Sequence, residues 1–398
     1  MNTLTTPIDL LSPGMAADSA QTARFDPVPH CTNPRCPFFH HDNPDDSSWR
    51  RDFGSYETKA FGTVPRYQCK LCGKTFSTQS FSLDYWVHKP VDYLPLIISL
   101  VSTSGQGNMS RFTSLRYEVI QNRCERLCRL FLSLHAHLRS LFTPEEPFAL
   151  DGFESFSRSH YFPNNINLLV GADSEFIYGM SFSQLRRKGR MSEKQKLHRE
   201  VLEARFGKAR ANEVEMGTAS LINDLCTLLR SNKIETAVLR TDEHKAYPRA
   251  LKRVEGSEEL ITHEQYSSRA PRGMHNPLFS VNYVDRQVRK DQANHVRESV
   301  QFARCPAAMM VRLTIYQIYH NYLMPRRVRA QRKGDWETRG ELMGLKAETV
   351  LQCLKRVWGR RVFLNKSSLW EAERMTWLLE WRNSMIPMGR RVPLHVRV

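Results

Sequence analysis

Four of the nine cysteines fall in two short-spaced pairs, Cys31-x4-Cys36 and Cys69-x2-Cys72. A tight knuckle lets two thiolates reach one ion, and two knuckles complete the tetrahedral shell of a structural zinc site. Gly73 follows the second pair, where such a knuckle needs a residue able to take positive φ. The run Tyr67-Gln-Cys-Lys-Leu-Cys-Gly-Lys-Thr-Phe76 adds the basic and aromatic residues usual around a metal knuckle. His40 and His41 are spare ligands, but four thiolates already fill the shell. The expectation is one structural Zn²⁺ on Cys31, Cys36, Cys69 and Cys72, folding residues 31–82 as a small metal-held module. The other five cysteines lie in apolar patterns, and Cys124 and Cys128 at i, i+4 read as core thiols. An odd count without an export signal argues for reduced thiols.

Two carboxylates stand out because each follows an apolar run with strand character. Asp151 closes Phe148-Ala-Leu-Asp, and Asp242 closes Thr236-Ala-Val-Leu-Arg-Thr-Asp. If those strands lie side by side, both carboxylates emerge at one sheet edge and can share Mg²⁺ or Mn²⁺. Hard oxygen ligands of this kind serve metal-assisted phosphoryl transfer. The plain alternative is an acidic turn residue after each strand.

The elements that must position these groups follow from periodicity. Residues 1–30 read as a disordered lead and 31–82 as the metal-held module. Residues 91–142 turn helical around a Ser/Gly/Asn break at 102–110. Helix, loop and helix with Arg111, Arg116, Arg123 and Arg126 from the loop onward suit a helix-turn-helix whose second helix enters a DNA groove. An ordinary helical hairpin is the alternative. After a short linker at 143–147, residues 147–156, 166–171 and 176–182 read as strands. The span 191–231 reads as helical, 235–240 as a strand, 246–254 as a short helix and 259–264 as a strand. A long helix is expected over 281–303 and a second from Pro306 to about Tyr322. The order β-β-β-α-β-α-β-α makes 147–325 a mixed α/β core, with 326–398 a helical basic tail carrying five Trp residues.

The 398 residues carry a net charge of +17, and residues 286–398 account for a surplus of fourteen basic groups. A surplus so placed, rich in Arg, fits a polyanion-binding surface, and nucleic acid is the expected partner. A solubilising charge excess is the alternative. The longest apolar stretch, 94–101, is broken by Pro95 and Ser99 and too short to span a bilayer. No basic residue precedes Arg24, as a secretory signal would require. The expectation is a soluble, non-exported protein.

From residue 31 to about 327 the chain resembles a bacterial insertion-sequence transposase of the DDE class, most nearly the insertion-element-one type. The resemblance rests on Tyr67 to Phe76, on Leu150-Asp-Gly152 and on Arg240-Thr-Asp242. It continues through Asn276-Pro-Leu-Phe-Ser-Val-Asn-Tyr-Val-Asp-Arg286, Ala293-Asn-His-Val-Arg-Glu298, Phe302-Ala-Arg304 and His320-Asn-Tyr322. It implies a zinc ribbon, a helix-turn-helix and a ribonuclease H-like catalytic core that cuts and joins DNA with divalent metal. It carries Asp151 and Asp242 over as the first two metal-binding carboxylates. The family's third carboxylate is often a Glu with a basic residue seven positions on, but that position here, seven before Arg289, is Asn282. Asp285 is the preferred substitute and Glu298 the alternative; on one helix the two lie ~220° and ~20 Å apart, so only one can join the site. The resemblance also implies double-stranded DNA as partner, with terminal inverted repeats and target DNA as substrates, a homo-oligomer on that DNA, and a location in the bacterial cytoplasm in association with the nucleoid. Two rivals remain: a zinc-ribbon DNA-binding regulator with an inactive core, and a metal-dependent nuclease without strand transfer.

Overall fold

The computed structural model describes residues 28–41, 43, 45–271, 273–296, 301–327, 336–383 and 392–398. The first unit is a three-stranded antiparallel sheet of β1 (Arg50–Thr58), β2 (Gly62–Cys69) and β3 (Thr75–Ser77). β1 is exposed along nearly its whole length and β3 has only three residues, so aromatics and cysteines fill the interior in place of a conventional core. Trp49 stacks on Phe76 at 5.6 Å, beside Phe39, Tyr67 and Phe81. Val28 and His30 are buried in the same unit, so the ordered module begins inside the stretch read as a lead. The rest of that lead, residues 1–27, lies outside the described residues.

Three helices follow: α1 (Tyr93–Val101), α2 (Gln106–Thr113) and α3 (Tyr117–Arg139). Asp92 caps α1 by accepting the Leu94 N–H at 3.0 Å. The break expected over 102–110 is shorter, because α2 forms within it and ends at Ser114 in the left-handed conformation (φ 55°). From Ile120 onward α3 buries most of its surface, including Leu127, Leu130, Phe131 and Leu138 at 0% exposure.

The central sheet runs β6-β5-β4-β7-β8 and contains β4 (Phe148–Phe156), β5 (Pro163–Gly171), β6 (Ile177–Gln184), β7 (Ala237–Asp242) and β8 (Ile261–Tyr266). β4, β5 and β6 pair antiparallel, whereas β7 and β8 run parallel to β4. Parallel neighbours need crossovers. The β6–β7 connection holds α4 (Glu193–Phe206) and α5 (Glu213–Ser231), and the β7–β8 connection holds α6 (Ala246–Arg253). Then come α7 (Phe279–Asp291), α8 (Pro306–Ile318), α9 (Ala347–Val357) and α10 (Glu371–Trp377).

The single helix expected over 281–303 is not formed. α7 stops at Asp291, Gln292 turns extended (φ −130°, ψ 90°), and a short 3-10 turn tucks Asn294 and His295 against β4. There His295 Nδ1 lies 3.2 Å from Ser155 Oγ, a buried polar contact that an uninterrupted helix would forfeit. The described parts of the tail are woven into the core: Trp370, Trp377 and Trp381 share one hydrophobic cluster with α1, α3, α8 and the sheet. No helix among the described residues is long and apolar enough to cross a membrane.

Candidate metal centres and acidic cleft

The two cysteine knuckles close on each other. Cys31 Sγ lies 3.6 Å from Cys72 Sγ, and Cys36 Sγ lies 3.8 Å from Cys69 Sγ. All four sulfurs fall within 4.8 Å of one another. A tetrahedron with Zn–S bonds of about 2.3 Å has edges of about 3.8 Å, so the cluster has the dimensions of a zinc site. Gly73, at φ 69°, donates its N–H to the Cys69 carbonyl at 3.0 Å and closes the second knuckle as its position suggested. Burial pushes the Cys31 and Cys36 thiols up; a bound cation would reverse that and hold them as thiolates.

Asp151 and Asp242 arrive by a different route. β4 and β7 are adjacent and parallel, with Ala149 opposite Arg240, so both aspartates advance to the same end of the sheet. Asp151 closes the apolar run but not the strand expected over 147–156. β4 runs five residues further, and Asp151 sits in its middle. Gly152 leaves room for the neighbouring amides: a Cβ there would meet Asn165 Nδ2 at 2.4 Å and Asn167 Oδ1 at 2.8 Å, and both side chains would have to shift. Asp151 Oδ1 accepts from the Gly152 N–H (2.7 Å) and from the Tyr247 hydroxyl (3.2 Å). Burial, reinforced by Asp242 and Asp285, raises Asp151 to about 6, against the pull of the Gly152 N–H and Tyr247. Asp242 Oδ1 accepts the His244 N–H at 2.8 Å, which fixes the turn into α6.

All three aspartates line one cleft of about 1230 Å³. α7 crosses the sheet and carries Asp285, whose Oδ1 accepts from Arg289 Nε at 2.8 Å. Asn282, one turn earlier, lines the cleft too, but its Nδ2 donates to the Leu278 carbonyl at 2.8 Å. The alternative, Glu298, lies outside the described residues. Arg186, Arg187, Lys188 and Arg286 surround the acidic centre. The carboxylates do not gather as tightly as the cysteines, which form the one group of metal-ligand distances found among the described residues. Their chemistry still fits a divalent cation. Three hard oxygen donors share a cleft, burial and its neighbours' charge favour the protonated form of one, and the buried Asn165 Oδ1 beside them has no partner among the described residues.

The four arginines expected to meet DNA divide two and two. Arg111 and Arg116 are exposed at the α2–α3 corner. Arg123 and Arg126 are buried, and the expectation that they contact DNA is corrected. Arg123 Nη2 donates to the Lys89 carbonyl (3.0 Å), Arg126 Nη1 donates to the Leu83 carbonyl (2.7 Å), and the Arg126 guanidinium stacks on Tyr85 at 3.9 Å. They tie α3 to the segment before α1, so their seven- and three-residue spacing marks an inward face.

Sequence reasoning missed Tyr247, His244 and the basic run at 186–188. Charge density was a signal for the last. The three Asn residues at 164, 165 and 167 beside an apolar run were a signal for a polar interior. Tyr247 had none, since a tyrosine opening a short helix is ordinary.

No characterised protein family matches the chain, and no curated protein sequence matches it. Among solved structures, a chain of a simian T-cell lymphotropic virus intasome complex with PP2A regulatory subunit B56 gamma is similar over 63% of this chain and 73% of that one. It shares 12% identity at a TM-score of 0.24, too low for any argument to rest on it.

Proposed function

We propose that the chain is a DNA transposase: a metal-dependent polynucleotidyl transferase that cleaves element ends and joins them to target DNA. The observation that carries this reading is the meeting of Asp151 and Asp242 from adjacent parallel strands with Asp285 from the overlying helix, in a cleft rimmed by arginine and lysine. The mixed sheet, with its three antiparallel strands followed by two parallel ones, agrees with the ribonuclease H-like core that the resemblance implies.

In this reading Asp151, Asp242 and Asp285 hold Mg²⁺ or Mn²⁺, which when bound supplies Lewis-acid activation of phosphate oxygens. Tyr247 orients Asp151 through its hydroxyl. Arg187, Lys188 and Arg286 seat the DNA backbone by charge and hydrogen bonding. The zinc-bound module and exposed Arg111 and Arg116 bind duplex at the element's ends, with more than one chain on the DNA.

The Arg289–Asp285 ion pair favours one rival, a DNA-binding regulator with an inactive core, because Arg289 competes with a cation for that carboxylate. One experiment separates the readings. Purified protein is given labelled duplex ends with Mg²⁺, then a pre-cut end with a free 3′-OH and a target plasmid. Transposase activity gives both cleavage and joined product, each lost in Asp151→Asn and Asp242→Asn with duplex affinity retained. Cleavage without joining would leave a nuclease, and neither would leave the regulator.

A further inference from the structure

Between the metal-held module and residues 392–398 lies a groove of about 770 Å³, lined among others by Tyr56, Arg66, Lys74, Trp86 and His395. Trp86 is unusual twice over. Its side chain is 67% exposed, although indole is among the side chains that gain most from burial. Its backbone is left-handed at φ 54°, in a turn closed by the Val87 N–H on the Asp84 carbonyl, a position that ordinarily takes Gly or Asn. A bulky residue there strains the backbone while most of its surface stays in solvent, which suits a group kept for contact rather than for folding.

The ring is nevertheless held in place. His395 packs edge-on against it with centroids 4.2 Å apart and also contacts Tyr85. Tyr85 is clamped between the guanidinium groups of Arg126 (3.9 Å) and Arg361 (4.3 Å). Arg66 and Lys74 supply positive charge in the same groove, and among the described residues no Asp or Glu lines it.

We propose that this groove binds single-stranded nucleic acid, with an unpaired base stacked on Trp86 and the flanking phosphates on Arg66 and Lys74. Every base offers a π-face and every linkage a negative charge, so an aromatic platform between cations recognises a strand without reading its sequence. A duplex keeps its base faces stacked on each other and cannot present one to the indole. The groove therefore distinguishes unpaired from paired strands. This assignment stands whether or not the acidic cleft is catalytic.

The test uses the full-length zinc-loaded protein with fluorescent oligo(dT), oligo(U) and a duplex of equal length, read by anisotropy. Trp86→Ala is expected to weaken single-strand binding about tenfold while leaving duplex affinity unchanged; Trp86→Phe should restore most of it. Trp86→Gly relieves the left-handed strain, so it should hold or raise Tm while still losing single-strand affinity, which separates the platform from the fold. Replacing Arg66 and Lys74 together with Ala should lower the salt slope by about 0.7 for each phosphate no longer neutralised. The DNA and RNA probes distinguish which strand the groove prefers, and dependence of either on Trp86 supports the assignment. Equal affinity of wild type and Trp86→Ala for both probes, or an equal loss on duplex, would overturn it and leave a protein partner as the occupant.

Discussion

A carboxyl raised to about 6, as Asp151 is, leaves a signature in pH. Its unfolded value is near 3.8, so between about pH 4 and 6 the metal-free native state keeps a proton that the unfolded chain has released. Native stability at this residue therefore falls as pH rises through that window, the reverse of a salt-bridged aspartate. Asp151→Asn removes the dependence, so metal-free Tm should decline less from pH 4.5 to 7 in the variant than in wild type. If the cleft is catalytic, cleavage should rise about tenfold per pH unit below 6 and level above 7, because the carboxylate must be ionised to hold a cation. A flat profile would remove Asp151 from the rate-limiting ionisation. Arg126 behaves otherwise. Arg126→Ala strands the Leu83 carbonyl and removes the stack on Tyr85, so a stability loss of about 2–3 kcal/mol in urea denaturation is expected, with duplex affinity per folded molecule unchanged. Weakened DNA binding at full stability would put this arginine back on the nucleic-acid surface.

At the scale of elements, the metal-held module depends on its ion. Its sheet has three strands, one of only three residues, and its aromatics enclose the cysteines rather than a separate apolar centre. Cys36→Ser, or strong chelation, should release one zinc per chain and collapse the β1–β3 signals while β4–β8 stay folded, as amide hydrogen exchange would show. Loss of exchange protection in both sheets together would mean that the module is not a separate cooperative unit. The knuckles were legible in the sequence because ligand spacing is local. The strands carrying Asp151 and Asp242 were legible because short apolar runs before an acid are also local. Two features were not. The stop of α7 at Asp291 is set by the polar seat that β4 offers His295. The inward face of α3 was hidden because arginines at helical spacing look alike whether they point at phosphates or at carbonyls across a helix bundle.

The whole molecule is organised around α3, whose buried face meets α8, α9 and α10, so the second helix of the segment expected to be a helix-turn-helix is the axle of the core. The tail's charge is likewise divided. Arg339 is fully buried on Glu175 at 2.7 Å, and Arg312 and Arg361 are largely enclosed, burial lowering both to about 10. The surplus beyond residue 286 is therefore partly structural, and composition could not reveal it because charge counts carry no address. Truncation after Arg327 should abolish cooperative unfolding by calorimetry, since it removes Trp370, Trp377 and Trp381 from the cluster. A truncated chain that still melts in one sharp transition would show that the tail is an appendage. The same layout makes the order of synthesis matter. α3 leaves the ribosome long before the helices that cover it, and Phe39 and Phe81 wait for Phe363, the residue that seals their cluster. At about 5–20 residues per second that interval is roughly tens of seconds, during which an apolar helix face stands open beside a metal-binding module whose aromatic cluster is not yet sealed. Nascent chains should therefore lean on holdase chaperones from the emergence of residue 139 until residue 381 has cleared the exit tunnel, and slowing translation between those points should lengthen that dependence.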